Sequence, residues 1–380
     1  MKVIFGLFVL AAIASVFAVV PTRRAIDIFV VTGLAVVGAI LAGVEFGAAS
    51  WRLDVLGQFL LLAPLAAATI LVFCLATRRT RLAASSAATL ALALLIAAPW
   101  LTAPTPASSQ APHFSLLLFN IWTWNKHPAA VRELVQNANA DVVILVETSP
   151  RTSAAVGDFP DLYPYRYECV GTEDCDILIF SKTKLDVPHA ERLRDDSNAY
   201  IASARMEVAG CRMTLLATHM GHPGPFQLIQ ARDIAHVVAG IGGARLLAGD
   251  FNGVPWGANV QTILKLTQFK VTEGLGGTFP ARLTSLLALP IDHVLTSPGL
   301  AVTERHVMAP AGSDHLPVLI EIAVVDRSAC LKQVAATAPS DPLAPKASLA
   351  QMKGEYDRGA ALTGRGFVTQ QQVEAQVRAR

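Results

Sequence analysis

The sequence predicts a layered α/β fold placed after a run of membrane-crossing helices, and three observations predict it. The first 100 residues are almost entirely Ala, Leu, Val, Ile, Phe and Gly, interrupted only by short basic clusters. From residue 114, apolar runs of strand length alternate with stretches of helical period. Those strand runs begin or end in Asn, Glu, His or Asp, so polar groups gather where apolar strands stop.

The apolar region comes first in the chain. Of 380 residues, 53% are hydrophobic and 16% charged, with a mean hydropathy of +0.45, more apolar than a wholly soluble enzyme. Four apolar stretches, at about residues 3–20, 28–48, 55–77 and 83–100, each approach the roughly 20 residues that cross a bilayer. Arg23 and Arg24 follow the first, and Arg78, Arg79 and Arg81 follow the third. Cytoplasmic loops retain Lys and Arg, so both loops are expected inside and everything after residue 101 outside. The first stretch, short and opening Met-Lys, has a second reading as a cleaved signal peptide, which would put Arg23 and Arg24 outside. Glu45 is expected at the membrane interface.

Residues 101–113, rich in Pro, Ser, Thr and Ala, read as a linker. A globular domain is expected over 114–326 and a Pro/Ala/Ser-rich disordered tail over 327–380. The globular part carries 16 Lys and Arg against 22 Asp and Glu, a net charge of −6, and so lacks the basic face that duplex binding needs. Of five cysteines, Cys74 falls in a membrane stretch, Cys211 opens a strand and Cys330 lies in the tail. Cys169 and Cys175 flank the loop "CVGTEDC" and are either a disulfide, in an oxidising compartment, or two free thiols.

Within the globular part, "FSLLLFN" is a buried strand ending at Asn120, and "HPAAVRELVQNANA" is an amphipathic helix with Pro128 in its first turn. "DVVILVE" ends at Glu147. "DILIFSK", "AYIASARMEVAG" and "CRMTLLATH" follow, the last ending at His219. The helix "PFQLIQARDIAHVVAG" leads into "RLLAGDFN", with Asp250 and Asn252 at its end. In "PIDHVLTS" and "SDHLPVLIEI", Asp292, Asp314 and His315 precede or open the strand instead. Continuous apolar strands imply sheets covered on both faces, and loops along one sheet edge are where polar side chains converge.

Carboxylates gathered in that way repel one another unless a cation neutralises them, and a hard divalent ion, Mg²⁺ with Mn²⁺ as substitute, resolves the conflict. Metal-held carboxylates, an Asp/Asn pair and two imidazoles are the parts that phosphoryl chemistry requires: charge neutralisation, an aligned water and help for the leaving oxygen. Neither a G-x-S-x-G elbow nor a G-x-x-x-x-G-K-[ST] loop occurs, which leaves acyl transfer and P-loop nucleotide binding without support.

The ordered motifs "FN" (119–120), "LVET" (145–148), "ATHM" (217–220), "GDFN" (249–252), "IDHVL" (291–295) and "GSDHLP" (312–317) resemble the endonuclease/exonuclease/phosphatase, or DNase I-like, superfamily. With the preceding apolar spans and "GTFPARLTSLLALPIDHVLTS", the chain is most similar to that superfamily's bacterial inner-membrane-anchored branch. The resemblance implies a four-layer α/β sandwich and a Mg²⁺-dependent hydrolase of phosphate esters, its catalytic domain periplasmic. By motif, Glu147 would hold the metal with Asn120, and Asp314 would support the metal or His315. Asp250 would align or deprotonate water, Asn252 would orient the phosphate, His219 and His315 would contact phosphate oxygens or move protons, and Asp292 would pair with a histidine. In one departure from the family pattern, Asp176 and Leu178 stand where relatives have small residues, so that loop is expected to differ. In another, Tyr200 is a poor match to the tyrosine of the abasic-site enzymes.

Some residues read as structural. His222 lies in a "GHPGP" loop that cannot be helical, and His293 points to the face of its strand opposite Asp292. Trp122, Trp124 and Trp256 are expected in the core or packing the rim of the cleft, rather than stacking on nucleic-acid bases. The expected partners are a lipid bilayer and a phosphate ester, whether extracellular nucleic acid, phospholipid or small phosphate, with no stable protein partner. A non-catalytic module that binds a phosphorylated ligand on the same fold is the second reading.

Overall fold

The computed structural model describes residues 22–101, 111–170, 175–193, 200–271, 276–285 and 287–331. The apolar stretch at 3–20, most of the linker and the tail beyond 331 lie outside the described residues.

The apolar region forms helix α1 (Thr22–Phe46), a short α2 (Trp51–Gly57), α3 (Ala63–Ala76) and α4 (Thr80–Leu101). Two helices are long and apolar enough to cross a membrane, Arg23–Ala49 and Thr80–Leu101. The expected span at 55–77 is not one rod: Trp51–Gly57 and Leu60–Ala76 meet at a 45° bend and make a third span only if counted together. The bend has a packing cause. α2 folds back on α1 so closely that a Cβ on Gly43 would overlap the backbone of Leu53 and Gly57, and Pro64 restarts the helix in the first turn of α3.

The rest of the described chain builds two six-stranded sheets. The strands are β1 (His113–Asn120), β2 (Val142–Val146), β3 (Tyr165–Glu168), β4 (Leu178–Ser181), β5 (Asp186–Arg192), β6 (Tyr200–Val208), β7 (Cys211–His219), β8 (Ala244–Asp250), β9 (Lys270–Val271), β10 (Asp292–Thr296), β11 (Leu300–Val307) and β12 (Val318–Val324). One sheet runs β11-β12-β1-β2-β4-β3 and the other β5-β6-β7-β8-β10-β9. Each sheet is mixed, with one parallel pair, β1 with β2 and β7 with β8.

Alternation along β1 explains the layering. Phe114, Leu116 and Leu118 face a core shared with Leu215, Ala217, Leu246 and Ala248 of the other sheet. Leu117 and Phe119 point the other way, onto Val131 and Val135 of α5 (Pro128–Ala138) and Val156 of α6 (Pro150–Val156). On the far side, Leu216 and Leu247 pack under α7 (Gln227–Ala239) and α8 (Ala258–Thr267). The order is helices, sheet, sheet, helices, the four-layer sandwich expected. Leu116, Leu117, Leu118 and Phe119 are all fully buried, each worth roughly 1.5–3 kcal/mol of transfer free energy.

Two disulfides close loops. Cys169 is bonded to Cys175, and Cys211 to Cys330 across 119 residues. The second corrects the expectation of a tail from residue 327. The chain continues as a short helix, α9 (Arg327–Leu331), because Cys330 is covalently held to the start of β7.

A further core cluster joins the apolar helices to the sandwich. Val37, Leu41, Leu60, Ala63, Ala93 and Ala97 bury against Val254, Trp256 and Ile291, with Phe279, Leu289 and Trp100 packed alongside. Trp256 Nε1 donates to the Gly57 carbonyl at 2.7 Å, and its ring lies 5.7 Å from that of Trp100. The backbone N–H of Ala258 donates to Asp54 Oδ1 at 2.7 Å. Trp256 is therefore a core residue, and it anchors the helices to the loop that follows "GDFN".

Candidate active site

Strand register sets the site. In the second sheet, Asp250 pairs with His219 of β7 on one side and with Asp292 of β10 on the other, a row of three polar residues along one edge. In the first sheet, Asn120 ends β1 opposite Val146, one residue before Glu147. The segment before β12 is tied to the same edge, since Ser313 Oγ donates to the Asn120 carbonyl at 2.7 Å. The two edges meet across the sandwich.

A single amide connects the carboxylates of the two sheets. Asn120, fully buried, donates through Nδ2 to Glu147 Oε1 and to Asp250 Oδ2, both at 2.9 Å, while its Oδ1 accepts from the Trp122 N–H. Two histidines flank this centre, each held by its own acid. His315 Nδ1 lies 2.9 Å from Asp292 Oδ2, leaving Nε2 at 3.6 Å from Asp250 Oδ2. His219 Nδ1 lies 2.7 Å from Asp176 Oδ2, leaving Nε2 at 3.5 Å from Glu147 Oε1 and without a hydrogen-bond partner.

The backbone at these strand ends is strained. Trp122, Glu147 and Asn252 have φ of 59°, 55° and 46°, a left-handed region that side chains avoid and that functional sites tend to retain. Asn252 is held there by its own N–H, which donates to Asp250 Oδ1 at 2.7 Å, and by Nδ2, which donates to the Met220 carbonyl at 2.8 Å. Gly249 is required by close approach: a Cβ there would overlap the Thr218 carbonyl of β7.

Charge follows from burial and pairing. Burial opposes a charge on His315, but the charge of Asp292 and its hydrogen bond, with Asp250 and Asp314 adding, raise it to about 9. Burial acts likewise on His219, and Asp176, with lesser help from Asp250 and Glu147, raises it to about 10. Asp250 is pushed up to about 6 by burial and the charge of Asp292, against the two imidazoles. Asp292 is itself buried, yet the charge and hydrogen bond of His315 hold it below the usual carboxylate range. At neutral pH both histidines are cations beside carboxylates.

Of the residues expected at the site, Asn120, Glu147, His219, Asp250, Asp292 and His315 come together. Asn252 borders them, with its amide nitrogen committed to Met220. Asp314 is adjacent to His315; its carboxylate faces Ser313 Oγ at 3.5 Å and its carbonyl accepts from Ala281. His293 is structural, as expected, its Nε2 donating to the Gly253 carbonyl at 2.8 Å. Sequence reasoning missed Asp176, treating it only as a departure from a family pattern.

The family model described as endonuclease/exonuclease/phosphatase matches residues 117–315, more than half of the chain. The chain belongs to the endonuclease/exonuclease/phosphatase family. Among solved structures, it is similar to a family member from Bacteroides thetaiotaomicron (14% identity, TM-score 0.48, covering 57% of this chain and 96% of that one). It is similar also to a mannosyl-6-phosphatase of the same organism (16%, 0.47, 55% and 99%) and to D. rerio TDP2 complexed with a single-strand DNA product (13%, 0.47, 55% and 98%). No curated protein matches the sequence.

Family membership implies a divalent metal, and the donors can be tested against it. Glu147, Asp250 and His315 each offer a ligand atom, all within 4.8 Å of one another. Two carboxylates from different sheets meet in a buried centre, and Asp250 is destabilised there as an anion. Hard oxygen donors in that state suit Mg²⁺ or Mn²⁺, so the residues fit the ion.

Proposed function

We propose that this protein is a membrane-anchored, Mg²⁺-dependent hydrolase of phosphate esters whose catalytic domain, residues 114–326, lies outside the cytoplasm of a bacterial inner membrane. The observation that carries the reading is the pair of acid-held histidines on either side of the Glu147–Asn120–Asp250 centre. Helix ends support the orientation. Arg23 and Arg24 at the start of α1, Arg78 and Arg79 between α3 and α4, and Arg81 in the first turn of α4 lie at the opposite helix ends from the contacts with Val254 and Trp256.

Glu147 would hold the ion with Asn120 beside it, and Asp250 is near enough to complete that set. When bound, the metal supplies positive charge to the phosphate oxygens and lowers the pKa of a water. The chain's own residues do the rest. Asp250, raised to about 6, is a carboxylate near the ideal strength for aligning and deprotonating the attacking water. His315 and His219, charged and fixed in orientation through Nδ1 by Asp292 and Asp176, present Nε2–H groups to phosphate oxygens where negative charge develops. Asn252 shapes the loop around them.

The test is turnover by the purified full-length protein on bis-p-nitrophenyl phosphate and p-nitrophenyl phosphate with Mg²⁺ or Mn²⁺, and its loss with EDTA. Asp250→Asn and His315→Gln are each expected to lower kcat by at least ~10²-fold, in the range for acid/base and electrostatic groups. Unchanged turnover in both variants would overturn the site. Ligand binding without turnover in any metal would instead favour a non-catalytic phospho-ligand module.

A further inference from the structure

We infer that the site takes its phosphate ester from the bilayer itself: the substrate is a lipid phosphate whose headgroup enters a mouth seated on the membrane surface. This rests on the phosphoesterase and membrane-anchor readings above and adds the substrate class to them.

The first ground is position. Phe279 packs its ring 4.9 Å from that of His315 and also joins the core shared with Leu60, Ala63 and Ala97 of the apolar helices. Trp256, four residues after Asn252, is hydrogen-bonded to Gly57 at the end of α2. Trp51 and Phe59, beside that contact, are exposed aromatics at helix ends, where interfacial belts lie. The strand ends bearing the site are thereby held at headgroup depth.

The second ground is the surface of the loops around the mouth. The loop after Asn120 exposes Trp124 (62%), the loop after His219 exposes Phe226 (45%), and the loop between Phe279 and Asp292 exposes Leu283 (39%) and Leu287 (55%). These same three loops, residues 121–127, 220–226 and 279–291, contain Lys126, His127, His222 and Arg282 and no Asp or Glu, although the domain carries a net charge of −6. Lys126, His127, His222 and Arg282 are all exposed. Lys126 and Arg282 set among exposed apolar side chains, on an otherwise acidic domain, are how a surface enters the headgroup layer of an anionic membrane. Charge alone would serve a soluble nucleic acid as well. The exposed leucines favour lipid, because bases stack on aromatic faces and gain little from aliphatic ones.

In the reaction, the oxygen of water bonds to phosphorus as one P–O ester bond breaks. The electron pair goes to the departing alcohol oxygen, which takes a proton, leaving an alcohol and a phosphate with one ester bond fewer.

The experiment compares two substrates for the full-length protein in phosphatidylcholine vesicles with Mg²⁺: phosphatidic acid or phosphatidylglycerol within the bilayer, and bis-p-nitrophenyl phosphate in the water. The double variant Leu283→Glu, Leu287→Glu is expected to lose at least ~10-fold on the bilayer substrates while staying within about 2-fold on the soluble ester, since it removes apolar insertion alone. Cleavage of the soluble ester without any bilayer lipid, or faster cleavage of single-stranded nucleic acid that ignores the variant, overturns the inference and leaves the phosphoesterase standing. Cleavage of neither substrate overturns both. Independently of turnover, a polarity-sensitive fluorophore on Leu287→Cys should be quenched by nitroxide-labelled lipid, and the same probe on Arg212→Cys, by the β6–β7 turn at the opposite strand ends, should not. Equal quenching at the two positions overturns the inference.

Discussion

The two histidine–carboxylate pairs of the site are chemically alike and differ in depth. In the His315–Asp292 pair the side chains are 5% and 1% exposed; in the His219–Asp176 pair they are 20% and 28% exposed. Both acids raise their histidines well above the ordinary value, and both leave Nε2 facing the central carboxylates. The difference lies in what each pair costs to break. A charge within the sandwich has no water to fall back on, whereas a charge at the mouth does, so one pair belongs to the fold and the site together and the other chiefly to the site.

The largest expected effect follows from that contrast. Asp292→Ala leaves the His315 imidazolium buried without its partner and should destabilise the protein by roughly 3–5 kcal/mol, measured by urea denaturation in detergent. The matching Asp176→Ala change should cost clearly less, because both side chains of that pair are partly exposed to solvent. Comparable losses from the two variants would break the distinction.

His293 sharpens it. It neighbours Asp292 on β10 and points to the other side of the sheet, with no acid to hold it. Burial there lowers it to about 4, against the hydrogen bond to the Gly253 carbonyl and the charge of Asp292, while the charge of Arg305 adds to the lowering. Between pH 6.5 and about 4 the unfolded chain binds a proton at this position that the folded chain refuses, so stability falls as the pH drops through that window. The loss attributable to His293 should reach about 3 kcal/mol near the lower limit. His293→Gln, which retains a donor for the Gly253 carbonyl, should remove that part of the acid sensitivity and leave stability at pH 8 nearly unchanged. Parallel stability curves for variant and wild type would refute the assignment.

A smaller effect distinguishes positioning from packing at the outer pair. Asp176→Asn should lower kcat on a soluble ester by about 10-fold, with little change in KM, if its carboxylate acts through the orientation and charge of His219. Asp176→Glu should restore part of that loss. A KM effect, or no rescue by Glu, would show that the side chain only shapes the loop.

The sequence made one of these pairs legible and concealed the other. Asp292 and His315 lie in motifs where polar residues open a strand, and that pattern led directly to them. Asp176 opens β4 in the same manner. β4 runs antiparallel to β2, so its beginning meets the end of β2, and Asp176 comes opposite Glu147. The strand-end pattern was sufficient to find it, but only with that pairing known. The helix–sheet alternation foretold the layers because local periodicity records which faces are covered. The Cys211–Cys330 bond and the docking of Trp256 on Gly57 join positions 119 and 199 residues apart, and no local pattern encodes such pairings.

The least costly contact to remove tests whether the membrane helices support the site loops. Helix α8 begins just after the "GDFN" loop, and its N-cap residue, Gly257, offers no side chain to its first free N–H groups. That acceptor comes from Asp54, 204 residues earlier in the chain, which accepts the Ala258 N–H. A cap borrowed from another part of the molecule stabilises its helix only while the two parts remain docked. Asp54→Ala should therefore cost about 1 kcal/mol and raise hydrogen exchange selectively over residues 258–267, whereas Asp54→Asn, which keeps a side-chain oxygen in place, should lose much less. Exchange that rises equally in every helix would mean that Asp54 supports the membrane helices alone, and that α8 and the loop preceding it do not depend on them.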